Sequence, residues 1–155
     1  MKLHHILESQ QFTVPSLLEL FTRASTMEKV VARGGTKDYE DRIMATLFYK
    51  PSTRTRFSFE TAMHRLGGKV LSTESAREFS SEIQGEYLED TIRIIAAYSN
   101  VIVLRHTDQG GAQSAAAVSP VPIINAGDGV GGQHPTQALL DLYTIYHECK
   151  TLDGL

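Results

Sequence analysis

The chain has a single cysteine, Cys149, which excludes an internal disulfide and a cysteine-built zinc site. It has no excess of basic residues. Fifteen Lys and Arg stand against 18 Asp and Glu, for a net charge of −3 and an isoelectric point near 6.0. That balance gives no reason to expect nucleic acid or an anionic membrane as a partner. An anion site here must be a local concentration of donors rather than a basic surface. No apolar run approaches the length of a membrane span, and Met1 to Gln11 is too polar for a signal peptide. His4, His5 and His147 have no partner at metal-ligand spacing. Internal repeats and low-complexity tracts are missing too. What is left is a chain of 155 residues, enough for one domain with a real core. With its one cysteine it suits a reducing compartment, and the expected location is the cytoplasm.

Against this plain background one stretch stands out. The apolar run Ile43 to Tyr49 reads as a buried strand and breaks at Lys50-Pro51 into Ser52-Thr53-Arg54-Thr55-Arg56. After the break, Phe57, Ala62, Met63 and Leu66 recur at helical spacing until Gly67-Gly68 stops the helix. A strand, a sharp turn and a helix opening on Ser-Thr-Arg-Thr admit two readings. One is an ordinary Ser/Thr cap with solvated arginines. The other is a phosphate cradle, in which unpaired helix N–H groups, hydroxyls and guanidinium forks converge on one anion.

A second strand-to-helix junction repeats the pattern. Pro122 to Ala126 reads as a strand and Gly127 to Gln133 as a flexible loop. His134-Pro135-Thr136-Gln137 then opens a helix with Ala138, Leu139, Leu142 and Ile145 on its apolar face. The glycines of that loop read as a plain turn, since no Gly-Lys-Ser/Thr follows them. In open α/β sheets ligands bind beyond the carboxyl ends of the strands, so two polar helix starts of this kind can face one crevice.

Ser52-Thr53-Arg54-Thr55-Arg56 with Phe59-Glu60-Thr61, Arg105-His106 at a strand end, and His134-Pro135-Thr136-Gln137 together resemble the transcarbamoylases. Met63 to Gly68, Asn125 to Gly129 and His134 to Asp141 are similar to the aspartate branch, specifically its carbamoyl-phosphate domain. The resemblance runs over nearly the whole chain. It implies that Ser52, Thr53, Arg54 and Thr55 surround a phosphate with help from Arg105. Thr55, Arg105 and His134 would face the carbonyl oxygen as the catalytic residues, and Gln137 the carbamoyl nitrogen. It also implies carbamoyl phosphate or phosphate as ligand, no cofactor, no metal, and a homotrimer in which a loop reaches a neighbour's site. His106 and His64 read as packing or surface residues.

Two positions depart from the family pattern. In the crossing loop a matching serine is present at Ser80, but Gln84 stands where the family has a lysine. Lys50 stands where aspartate transcarbamoylases usually carry a glutamate that ties two domains together. These departures keep a transcarbamoylase with another amine acceptor in view. Residues 1–150 are expected to form the carbamoyl-phosphate-binding domain, and 151–155 to begin a linker toward an aspartate-binding domain. A separate chain that supplies that domain, or another chain of the pyrimidine pathway, is then an expected partner. A non-catalytic anion-binding or assembly domain is the reading from a different class.

The expected fold is an α/β three-layer sandwich, with a four-stranded parallel sheet flanked by helices. Strands are predicted near 43–49, 69–72, 101–105 and 121–126. Helices are predicted over Val14 to Val31, about 53–66, from Leu88 through Ala96, Gln109 to Val118, and from His134 to about 149. Thr73 to Gly85 reads as a mobile surface loop.

Overall fold

A computed structural model describes residues 3–74 and 87–152. Its sheet has four parallel strands, β1 (Ile43–Phe48), β2 (Lys69–Glu74), β3 (Val101–His106) and β4 (Ile123–Asp128), in the spatial order β2-β1-β3-β4. The helices are α1 (Val14–Ala32), α2 (Thr53–Arg65), α3 (Leu88–Tyr98), α4 (Gly111–Val118) and α5 (Pro135–Cys149). The predicted fold class and the order of the elements both hold.

The strands read as near-continuous apolar runs because both sheet faces are covered. Alternate residues go to opposite sides. Ala45, Leu47, Ile102, Leu104 and Ile123 pack on one face against Leu88, Ile92 and Ala96 of α3 and Ala115 of α4. Met44, Phe48, Val103 and Ala126 pack on the other against Met63 of α2. α1 and α5 lie together, with the Phe21 ring 5.6 Å from Tyr143 and 5.2 Å from Tyr146. Tyr143 also donates to Glu28 at 2.7 Å. No helix among the described residues is long and apolar enough to cross a membrane.

Three details differ from the expectation. β2 runs to Glu74 rather than stopping at Ser72, because Thr73 and Glu74 continue the parallel ladder beside Leu47 and Phe48 of β1. β4 is displaced two residues along the chain, to 123–128. Pro120 and Pro122 have no N–H for a ladder, while at the other end Asp128 pairs with His106 of β3 and Gly129 N donates to His106 O at 3.2 Å. The N-terminal segment is also tied into the sheet. Ile6 bridges Ile124 in parallel, donating to Ile123 O and accepting from Asn125 N, each at 2.8 Å.

The strand order places a topological switch point between β1 and β3. The chain leaves β1 toward β2 on one side and returns to add β3 and β4 on the other. A crevice is expected beyond the carboxyl ends at such a point.

Candidate functional site

A cavity of about 670 Å³ opens there, lined by Ser52, Arg54 and Thr55 after β1, Arg105 near the end of β3, and His134 and Gln137 after β4. Residues from three separate strand ends thus meet in one place. Ser58, Phe59, Thr136 and Leu140 complete the wall. Sequence reasoning missed these four, although helical spacing from Thr55 and Gln137 puts Ser58, Phe59 and Leu140 on the same faces. Thr53 is the exposed first residue of α2 and does not line the cavity. Ser80 and Gln84 lie outside the described residues.

The start of α2 resolves the choice between a cap and a cradle in one respect. Ser52 occupies the cap position but its side chain makes no capping hydrogen bond. Its carbonyl accepts from Arg56 N at 3.0 Å. The first-turn N–H groups of a helix have no partner within the helix, and here they flank a cavity rich in hydroxyls and guanidinium.

Arg105 is half-buried and held by the backbone, its Nη1 donating to Ala126 O at 2.8 Å. Burial holds its guanidinium below the ordinary arginine value, which is high enough for the charge to persist at neutral pH. The guanidinium lies against Gly127. A β-carbon on that residue would come within 2.7 Å of Nη1 and 3.5 Å of His134 Cδ2. Gly127 also has φ +125°, which side-chain-bearing residues rarely adopt. Glycine here is the surface on which Arg105 and His134 are brought together.

His134 caps α5. Its Nδ1 accepts from Gln137 N at 3.4 Å, which puts the ring proton on Nε2. Its pKa lies below the ordinary 6.5, chiefly through burial and secondly through the Arg105 charge, with Asp141 opposing. The ring is therefore a neutral donor at neutral pH. Gln137 Nε2 donates to Asp141 Oδ1 at 3.0 Å, which leaves the amide oxygen as the acceptor end. His106 packs under the site as a structural residue, its ring 4.9 Å from that of Tyr49 and its Nδ1 accepting from Asp108 N at 3.1 Å. The chemistry assembled is two guanidinium groups, hydroxyls, a neutral imidazole N–H and two helix starts. It suits an anion that also carries a polar carbonyl and an N–H group.

Residues 4–147 match the family model described as "Aspartate/ornithine carbamoyltransferase, carbamoyl-P binding domain". The chain is 55% identical to the chloroplastic aspartate carbamoyltransferase of Oryza sativa subsp. japonica, over 100% of this chain and 44% of that protein. It is 51% identical to the aspartate carbamoyltransferase catalytic subunit of Methanopyrus kandleri, over 97% of this chain and 48% of the relative. Among solved structures, the catalytic subunit of M. jannaschii aspartate transcarbamoylase superposes with a TM-score of 0.91 at 48% identity, covering 99% of this chain and 50% of that one. Aspartate transcarbamoylase from Trypanosoma cruzi in complex with carbamoyl phosphate superposes with a TM-score of 0.90 at 42% identity, covering 97% and 46%. The chain spans about half the length of the curated relatives it matches.

Proposed function

Since the chain belongs to the aspartate/ornithine carbamoyltransferase family through its carbamoyl-phosphate-binding domain, we propose that it is the carbamoyl-phosphate half of an aspartate carbamoyltransferase. The reaction is carbamoyl phosphate plus L-aspartate to N-carbamoyl-L-aspartate plus phosphate, a step of pyrimidine synthesis. One observation carries the reading: Ser52, Arg54, Thr55, Arg105, His134 and Gln137 line a single cavity at the switch point of the sheet.

In the proposed mechanism the start of α2 holds the phosphate through its N–H groups, the Ser52 and Thr55 hydroxyls and the Arg54 guanidinium, with Thr53 contributing its backbone. Arg105 lies between this cradle and the carbonyl. The aspartate amine attacks the carbonyl carbon. A C–N bond forms, the C–O bond to phosphate breaks, and phosphate leaves with the bonding pair and takes up the proton that the amine gives up. Negative charge on the carbonyl oxygen is met by the Thr55 hydroxyl, Arg105 and the Nε2–H of His134. Preorganised donors of this kind contribute about 2.7–4 kcal/mol each. The Gln137 amide oxygen accepts from the carbamoyl NH₂. No proton needs to move through His134, because the neutral ring already donates.

The same reading carries a cytoplasmic location and a trimer in which Ser80 and Gln84 serve a neighbouring site, a closed ring being a common solution for identical chains. Glutamine at position 84 brings a donor without a positive charge. Calorimetric titration with phosphate and with carbamoyl phosphate tests the cradle. Arg54→Ala is expected to weaken binding by about ten- to a hundredfold, the loss of a charge-assisted contact. Equal affinity in the two proteins would show that the cradle is not used.

A further inference from the structure

Asn125 is a polar side chain in the middle of an apolar strand, between Ile124 and Ala126, and it is fully buried. A buried primary amide is costly unless its donors and acceptor are met. Here its three bonds all go to one small region. Oδ1 accepts from Gly127 N at 2.9 Å, and Nδ2 donates to Leu7 O at 2.8 Å and to Gln133 O at 3.3 Å. Gly127 is the residue against which the Arg105 guanidinium rests, and Gln133 immediately precedes His134. Ala126, between Asn125 and Gly127, supplies the carbonyl that holds Arg105 Nη1. One amide therefore grips both ends of the 127–133 loop.

We propose that Asn125 is the positioning residue for the Arg105–His134 pair, setting the spacing of the two donors through Gly127 and Gln133. The proposal rests on the carbamoyl-phosphate reading of the site. It adds a residue that touches no ligand and acts through the backbone of two others. It also gives the N-terminal segment a part in the site, since Leu7 O holds the second amide proton and Ile6 pairs with the same strand.

Asn125→Asp is the discriminating variant. It keeps the size and the acceptor for Gly127 N but turns an oxygen toward the Leu7 and Gln133 carbonyls. When the introduced carboxyl is ionised it repels both, and when protonated it regains one donor. At about pH 8 inorganic phosphate is expected to bind the variant about tenfold more weakly than wild type, the order of one lost charge-assisted contact. At about pH 5.5 the gap should shrink to about threefold or less, because burial favours the protonated carboxyl. His5, Arg105, His106, Asp128 and His134 are the titratable groups on neighbouring segments, and the titration of phosphate itself is common to both proteins and cancels in the ratio.

The His134 ring resonances of the ligand-free chain give a readout that needs no phosphate. They should differ between variant and wild type at high pH and converge at low pH. Equal phosphate affinity at high pH, a gap that does not change with pH, or unmoved His134 resonances would each overturn the proposal. If wild type fails to bind phosphate while the His134 resonances behave as expected, the ligand reading falls and the positioning role stands. Should Asn125→Asp not fold, the wild-type Asn125 side-chain amide signals decide the question. They are expected to shift on saturation with phosphate, and signals that stay in place would contradict the assignment.

Discussion

Ser72 donates to the Glu60 carboxylate at 2.5 Å, and Thr46 donates to the same oxygen at 3.1 Å. Thr46 and Ser72 are register partners on β1 and β2 and lie 3.0 Å apart, so a single side chain from α2 ties helix and both strands together. Arg56 Nε approaches that oxygen at 3.8 Å. The cradle at the start of α2 is thus anchored two turns further along the helix.

Glu60→Ala is expected to destabilise the chain by about 1–3 kcal/mol, because it strips a buried hydroxyl of its acceptor. Thr46 is fully buried and cannot turn to water instead. Urea denaturation measures the effect. A Glu60→Ala midpoint equal to wild type would mean that the Thr46–Ser72 pair satisfies itself.

Gly127→Ala should damage the site as well as the fold. The added methyl meets Arg105 Nη1 at 2.7 Å, and the backbone must hold φ +125° with a side chain attached. Strain of that kind costs about 1–3 kcal/mol. Phosphate affinity should fall by about tenfold as Arg105 is pushed aside, a loss of the size expected for one charge-assisted contact. Unaltered phosphate binding in a folded Gly127→Ala chain would show that Arg105 does not depend on this platform.

Acid should weaken the fold through two histidines. His134 and His5 both lie below the ordinary value of 6.5, each mainly through burial, with Arg105 as the second cause for the first and His4 for the second. His5 Nδ1 also accepts from Ile123 N at 3.1 Å, a bond that protonation removes. The unfolded chain takes up these protons first as pH falls. Stability from the pair is therefore complete above about pH 6.5 and is lost as pH drops below it toward the lowered folded values. A His5→Gln, His134→Gln chain should show a flatter stability profile than wild type between about pH 7.5 and pH 5. Parallel profiles would contradict this.

Much of the fold was legible because its signals are local. The apolar run at 43–48 and the helical spacing from Phe57 to Leu66 bracket the Ser-Thr-Arg-Thr turn without help from distant residues. What escaped depends on partners far away in sequence. Thr73 and Glu74 extend β2 because Leu47 and Phe48 of β1 lie beside them in register. Ile6 joins the sheet because β4 offers an edge, and nothing in a polar N-terminal stretch announces that. The site was legible as motif residues at strand ends, whereas its supports were not. Gly127 read as part of a flexible turn, yet it is the contact surface for Arg105. Asn125 carried one readable signal, a buried-strand position filled by a polar residue.

The central claim is that the starts of α2 and α5 serve one anion. Amide NMR titration of the chain with carbamoyl phosphate, whose phosphate and carbamoyl ends face α2 and α5 in the proposed mechanism, addresses it directly. The backbone signals of Thr53 to Arg56 and of His134 and Gln137 are expected to move together along one binding curve. Shifts confined to one helix start, or two curves of unrelated affinity, would contradict a shared cradle.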